Sequence, residues 1–168
     1  MAPPKEMARP KEKVLAEIML RVFRLNGRLL EQGDRLVAGL NLTSARWQVL
    51  GALALANHPL TAPQIADAMG ITRQGAQKQL NRLLCEGLLE RSRNPSHERS
   101  SLYVLTAAGA HAFAEADRRC DLWTADVAAT IPEDRLHAVR AALDEILIRL
   151  DRPLPSAALE GGVGPAAA

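Results

Sequence analysis

Aromatic residues make up only 3% of this 168-residue sequence, and cysteine occurs just twice, at Cys85 and Cys120. A chain poor in aromatics and rich in Ala and Leu favours helix over sheet. Two cysteines far apart, with no Cys-x-x-Cys spacing, argue against a disulfide framework or a zinc site. No apolar run approaches the roughly 18 residues of a membrane helix, and "MAPPKEMARPKEK" lacks the apolar core of a signal peptide. A cytoplasmic protein with no membrane partner is therefore expected. His58, His97, His111 and His137 show no ligand spacing, so no metal is expected. Paired carboxylates, a nucleophile constellation and a Gly-rich phosphate loop are all missing, so neither catalysis nor a cofactor is anticipated. The net charge of +2 is too small to name a partner by itself.

What the sequence does contain is helical rhythm. Val14, Ile18, Val22, Leu25 and Leu29 recur at steps of 4, 4, 3 and 4, which predicts a first helix from Lys11 to about Gly33. Thr43 or Ser44 caps a second helix through about Ala56. Thr61-Ala-Pro-Gln64 fits a capping box opening a short third helix that ends at Gly70, and Thr72 caps a fourth that runs to Gly87. The period then changes. Leu88–Arg93 and Ser101–Leu105 flank a polar loop with Asn94-Pro95, and predict a hairpin. Thr106 caps a long fifth helix to about Ala129, and Pro132 opens a sixth that ends near Leu150.

The last two helices carry regular seams. Phe113, Ala116, Cys120, Trp123 and Val127 lie on one, and Leu136, Val139, Leu143, Ile146 and Leu150 on the other. Such spacing suits knobs-into-holes packing. These seams and that of the first helix (Val14, Ile18, Val22) serve either an internal core or a dimer interface; the dimer is favoured because they lie outside the compact centre. Residues 1–10 and 151–168, rich in Pro, Gly and Ala, read as flexible tails.

The central order is helix, helix, turn, helix, hairpin. Ile65 and Ala66 point inward, Gly70 makes the turn, Ile71 plugs the junction, and Ala76, Leu80, Leu83 and Leu84 form the buried side of the next helix. From Ile71 to Leu84 there is no acidic residue. Arg73, Gln74, Gln77, Lys78 and Asn81 project from the other side. Arg and Lys suit guanine edges or phosphates, Gln and Asn suit adenine, and free amides beside Thr72 favour a phosphate. Between Thr72 and Arg99 six basic residues face three acidic ones. Gly75 costs the helix roughly 1 kcal/mol relative to Ala, which a close approach to DNA or to a neighbouring helix would rationalise. The expected fold is thus mainly α with a small β-hairpin wing, a winged helix-turn-helix plus a helical dimerisation domain. The expected partner is double-stranded DNA.

The stretch "TAPQIADAMGITRQGAQKQLNRLLCEGLLERSRNPSHERSSLYVLT", residues 61 to 106, resembles the DNA-binding core of the multiple-antibiotic-resistance regulator (MarR) family. The resemblance rests on the "RL…GLLER" exit from the fourth helix, the "NP" loop, and the closing Leu105, Thr106 and Gly109. It extends over about residues 11 to 150. It implies a dimerisation domain of residues 11–40 and 107–150 around a DNA-binding domain of residues 41–106. It further implies a homodimer, a repressor in the first instance, whose recognition helices enter successive major grooves while the wings reach minor grooves. In the family pattern the wing carries an Asp, one residue, then an Arg. Here Arg99 matches the Arg, while His97 stands at the Asp position and offers a pH-sensitive charge instead.

The resemblance also implies response to a small aromatic or phenolic anion as effector, bound between the two domains, or to thiol oxidants. Trp47 and Arg46, with Arg21 and Arg28, are candidates for such a pocket; core packing and surface ion pairs are the plainer roles for them. Cys85, among leucines, and Cys120, on a seam, read as inert packing residues. The competing functional class is a winged-helix module that uses the same face for a protein partner.

Overall fold

The computed structural model describes residues 10–97 and 100–155. The chain divides into two compact units, the first ending at Trp123 and the second beginning at Thr124. In the first unit the order is α1 (Pro10–Val37), a short 3-10 turn (Ala38–Leu40), α2 (Ser44–Ala56), β1 (Leu60–Thr61), α3 (Ala62–Ala68), α4 (Arg73–Cys85), β2 (Leu89–Ser92) and β3 (Leu102–Leu105). Helix α5 (Ala107–Ala128) begins in that unit and runs into the second, which also holds α6 (Glu133–Leu150). The mainly helical class with a hairpin wing is as the sequence implied. No helix among the described residues is long and apolar enough to cross a membrane.

Helix α1 continues four residues past its expected end. Gly33 does not stop it, because Gly33 is a contact residue: a Cβ there would lie 2.6 Å from Ser44 Oγ. The absent side chain lets the end of α1 close on the start of α2. Ser44 N donates to Asp34 Oδ1 at 2.6 Å, so a carboxylate from α1 satisfies one of the open amides of α2. Thr43 caps the same helix by accepting from Arg46 N.

The core of the first unit is built from every central element. Val37, Val49, Leu50, Ile65, Leu80 and Leu83 are fully buried, with Leu89 and Tyr103 of the sheet and Ala116 of α5 beside them. The sheet is antiparallel with order β1-β3-β2, and Leu89 pairs with Leu105, Ser92 with Leu102, and Leu60 with Tyr103. Strand β1 was not foreseen. Two residues are too few for a period-2 signal, and Leu60 and Thr61 become a strand only because β3 lies alongside. Thr61 does double duty there, since it also forms the expected capping box with Gln64.

After β3 the chain turns directly into α5. Thr106 Oγ1 accepts from Gly109 N at 3.0 Å and donates to Gly87 O at 2.8 Å, while Thr106 N donates to Leu88 O. Gly109 sits so close to the residue that precedes β2 that a Cβ would fall 2.0 Å from Leu88 O. Further along α5, Arg119 donates to Leu36 O and to Glu115, tying α5 to the end of α1.

In the second unit, α6 opens at Pro132 as expected, and none of its residues is buried. Of the residues assigned to dimerisation, Val14, Ile18, Val22, Trp123, Leu136, Val139, Leu143, Ile146 and Leu150, none is buried within the single chain.

Candidate nucleic-acid interface

Helices α3 and α4 meet across a turn that the sequence specifies closely. Gly70 adopts φ +60°, a left-handed conformation that L side chains rarely take, and reverses the chain after Met69. Ile71 N then donates to Ala66 O at 3.0 Å, closing the turn by backbone. The side chain of Ile71 does not plug the junction as expected: it is 37% exposed. Ile65, Ala66, Ala76 and Leu80 fill that space instead. Ala66 and Ala76 are small enough to let the two helices approach without a wedge.

Thr72 caps α4 by accepting from Gly75 N at 3.1 Å. Its Oγ1 would lie 3.2 Å from a Cβ on residue 75. The glycine in the first turn of α4 therefore fits the cap of its own helix. Ala76, Leu80 and Leu83 are fully buried, whereas Leu84 is only half-buried. Cys85, expected among leucines, is exposed because the last turn of α4 has rotated it away from the core.

The opposite face of α4 divides into free and committed groups. Arg73, Gln74 and Lys78 are exposed, and Arg73 and Lys78 have no acidic partner among the described residues. Gln77 is half-buried and donates both to Asn81 Oδ1 at 2.9 Å and to Tyr103 Oη at 3.2 Å. Its amide thereby joins α4 to β3, and its carbonyl oxygen is what remains for an outside donor. Arg82 is bound by Glu86 at 2.7 Å.

Glu86 is the hub of a second tie. Both its oxygens accept from Arg46 Nη1, at 2.5 and 2.6 Å, and Arg82 takes one of them as well. Burial alone would push the Glu86 carboxyl up, but the hydrogen bonds and charges of Arg46 and Arg82 outweigh it and hold the group below the ordinary value of 4.5. The cluster fixes the start of α2 against the end of α4.

The wing hairpin follows. Asn94 is buried in its loop and its Oδ1 accepts from Ser96 N at 3.0 Å, a side-chain turn that explains the Asn-Pro pair. His97 is exposed at the tip. Arg99 lies outside the described residues.

A cavity of about 720 Å³ lies between α2, α3 and α5, lined by Trp47, Leu55, Met69 and Phe113 among others. Of the residues named as effector candidates, Trp47 alone lines it. Arg46 is turned to Glu86, Arg21 bonds Glu17, and Arg28 bonds Glu31 on the exposed part of α1, so the four do not converge. The residues that sequence reasoning passed over are Phe113 and Asp117 of α5, which reach this cavity from 66 to 70 positions along the chain from Trp47. Near them the Cys120 thiol is half-buried, and burial together with Asp117 and Asp121 pushes its pKa up, which disfavours the reactive thiolate.

Two packed helices across a tight turn, followed by a β-hairpin on a small sheet, define a winged helix-turn-helix protein. More particularly, the chain belongs to the MarR family, whose model matches residues 39–100. It is 33% identical over 141 residues to an uncharacterized protein of Mycobacterium tuberculosis, across 84% of this chain and 97% of that one. Among solved structures it is similar to the transcriptional regulator BldR of Sulfolobus solfataricus, with a TM-score of 0.74 and 17% identity over 84% of this chain and 99% of that one. It is likewise similar to the M. tuberculosis transcriptional regulator MOSR in complex with DNA, with a TM-score of 0.65 and 21% identity over 80% of this chain and 98% of that one.

Proposed function

We propose that this protein is a sequence-specific transcriptional regulator that binds a near-palindromic operator as a homodimer and responds to a small-molecule effector. The carrying observation is the N-terminal half of α4. It presents Arg73, Gln74 and Lys78 without acidic partners among the described residues, on a helix anchored by the buried Ala76, Leu80 and Leu83 and with its ends fixed by Thr72 and Glu86. In this reading Arg73 and Lys78 grip guanine edges or phosphate, Gln74 and the remaining oxygen of Gln77 read bases, and the amides around Thr72 meet a phosphate. His97 and Arg99 carry the wing to the neighbouring minor groove, where narrow grooves attract cations. The solved complex of MOSR with DNA supports this use of the fold.

The apolar residues left open on α1 and α6 supply the dimer contact, and residues 11–40 with 107–150 form the dimerisation domain around residues 41–106. Two recognition helices then address half-sites about one turn, roughly 10 bp, apart. Occupancy of the operator represses transcription in the cytoplasm, and an effector that prefers another spacing of the two DNA-binding lobes releases it. Fluorescence anisotropy on promoter DNA tests the reading. Lys78→Ala and Arg99→Ala are each expected to weaken binding about tenfold, and binding is expected to fall steeply with salt as phosphate contacts release counterions. Unchanged affinity in both variants at moderate salt overturns it.

A further inference from the structure

The cavity beside Trp47 has a chemistry that its position alone does not announce. We infer that it accepts a small organic cation, an ammonium group carried on a flat apolar body, and discriminates against carboxylates and phenolates. The inference rests on the effector reading above and assigns a charge class to the ligand of that site. At about 720 Å³ the cavity falls inside the range of roughly 300–1,000 Å³ usual for small-molecule sites.

Its walls come from three helices, with Leu60 of β1 beside them. Helix α2 contributes the Trp47 ring and Gly51, α3 contributes Gln64 and Met69, and α5 contributes Phe113 and Asp117. Gly51 admits the Phe113 ring so closely that a Cβ would lie 3.3 Å from it. The apolar body of a ligand thus meets two aromatic rings and a thioether. Aromatic faces attract cations and not anions.

The formal charge in the wall is of one sign. Among the described residues the lining contains no Lys, Arg or His, and its one ionisable residue is Asp117. The neighbouring cations are taken: Arg118 and Arg119 both bind Glu115, which draws the Glu115 carboxyl down to about 2 and leaves Asp117 without a basic partner among the described residues. Gln48 donates one amide hydrogen to Ser44 Oγ at 3.3 Å and keeps its carbonyl oxygen free to accept, whereas the oxygen of Gln64 already accepts from Thr61 and its amide is left to donate. A carboxylate and a carbonyl are both acceptors. They suit an ammonium donor, and an anion entering here would meet Asp117 with nothing basic in the wall to offset it. Because α3 packs directly on α4, a guest wedged between α2, α3 and α5 bears on the helix proposed to read DNA.

Three probes of one shape and different charge test the inference: 2-naphthylmethylammonium, 2-naphthylmethanol and 2-naphthoate, titrated calorimetrically into the full chain without DNA. The ammonium is expected to bind about tenfold more tightly than the naphthoate, with the alcohol between them. Asp117→Asn, an isosteric change at an exposed position, should weaken the ammonium about fivefold and leave the alcohol within about twofold. Naphthoate binding as tightly as the ammonium overturns the inference. So does an unchanged affinity of Asp117→Asn for the ammonium. Absence of binding by all three, as when a second copy of this chain fills the cavity, overturns it too. Promoter binding by the unaltered chain, measured separately and without any probe, decides the regulator reading by itself.

Discussion

Helices α1 and α4 lie in the same unit and are both amphipathic, yet they use their apolar residues in opposite ways. In α4, Ala76, Leu80 and Leu83 are fully buried and the face left over is polar and cationic. In α1, Val14 is 55% exposed, Leu25 54% and Phe23 74%, and only the last turns, from Gly33 to Val37, enter the core. An exposed cationic face asks for an anionic partner and tolerates water in the meantime. An apolar face of this length asks for another apolar surface, because monomeric proteins rarely leave so large a patch open. Two helices of similar pattern thus leave surfaces of different chemistry exposed.

The sharpest way to break the contrast is to unseat the core that holds α4. Gly109→Ala drives a methyl group into Leu88 O, where the gap is 2.0 Å, and should cost about 3 kcal/mol or prevent folding, as urea unfolding would report. Leu80→Ala opens a cavity behind α4 and is expected to cost a similar amount, about 3 kcal/mol. Breaking the other side of the comparison needs no loss of fold. Val22→Glu on α1 should leave thermal unfolding of the monomer nearly unchanged while weakening self-association tenfold or more, roughly 1.4 kcal/mol, read by light scattering across a concentration series. Unaltered mass at every concentration would remove α1 from the interface.

A smaller effect sharpens how α4 is held. Glu86→Gln keeps the shape of the side chain but removes the charge between Arg46 and Arg82, and should cost about 1 kcal/mol. The same pair sets an acid limit. The folded-state pKa of Glu86 lies below the ordinary 4.5, so the folded chain binds fewer protons than the unfolded one in that range. Its stabilisation is complete above 4.5 and is lost as the pH falls through the lowered value. Glu115, drawn to about 2, follows the same sign with a window from 4.5 to about 2. Acid unfolding of Glu86→Gln should accordingly show a weaker pH dependence below 4.5 than the unaltered chain.

The elements legible in the sequence were those whose signals are local. Thr43, Thr61, Thr72 and Thr106 each cap a helix as their spacing indicated, and Gly70 turns the chain where a tight reversal was needed. What the sequence concealed depends on partners far along the chain. Gly33 looked like a terminator because its contact, Ser44, belongs to another helix. Arg46 looked like a pocket cation because Glu86, which claims it, is 40 positions away. Ile71 looked like a plug from hydrophobicity alone, although the backbone bond to Ala66 had already closed the turn. The cavity shows the same division: Trp47 was visible on its own helix, while Phe113 and Asp117 entered only when α5 folded back beside α2.

The carboxylate of Asp34 reaches across the turn between α1 and α2 to hold the amide of Ser44. Its consequence is kinetic. For that amide to exchange its proton with solvent, the last turn of α1 and the first turn of α2 have to separate together. The exchange rate of a single α2 amide therefore counts the openings of a helix to which it does not belong, and anything that seats α1 more firmly should slow that exchange.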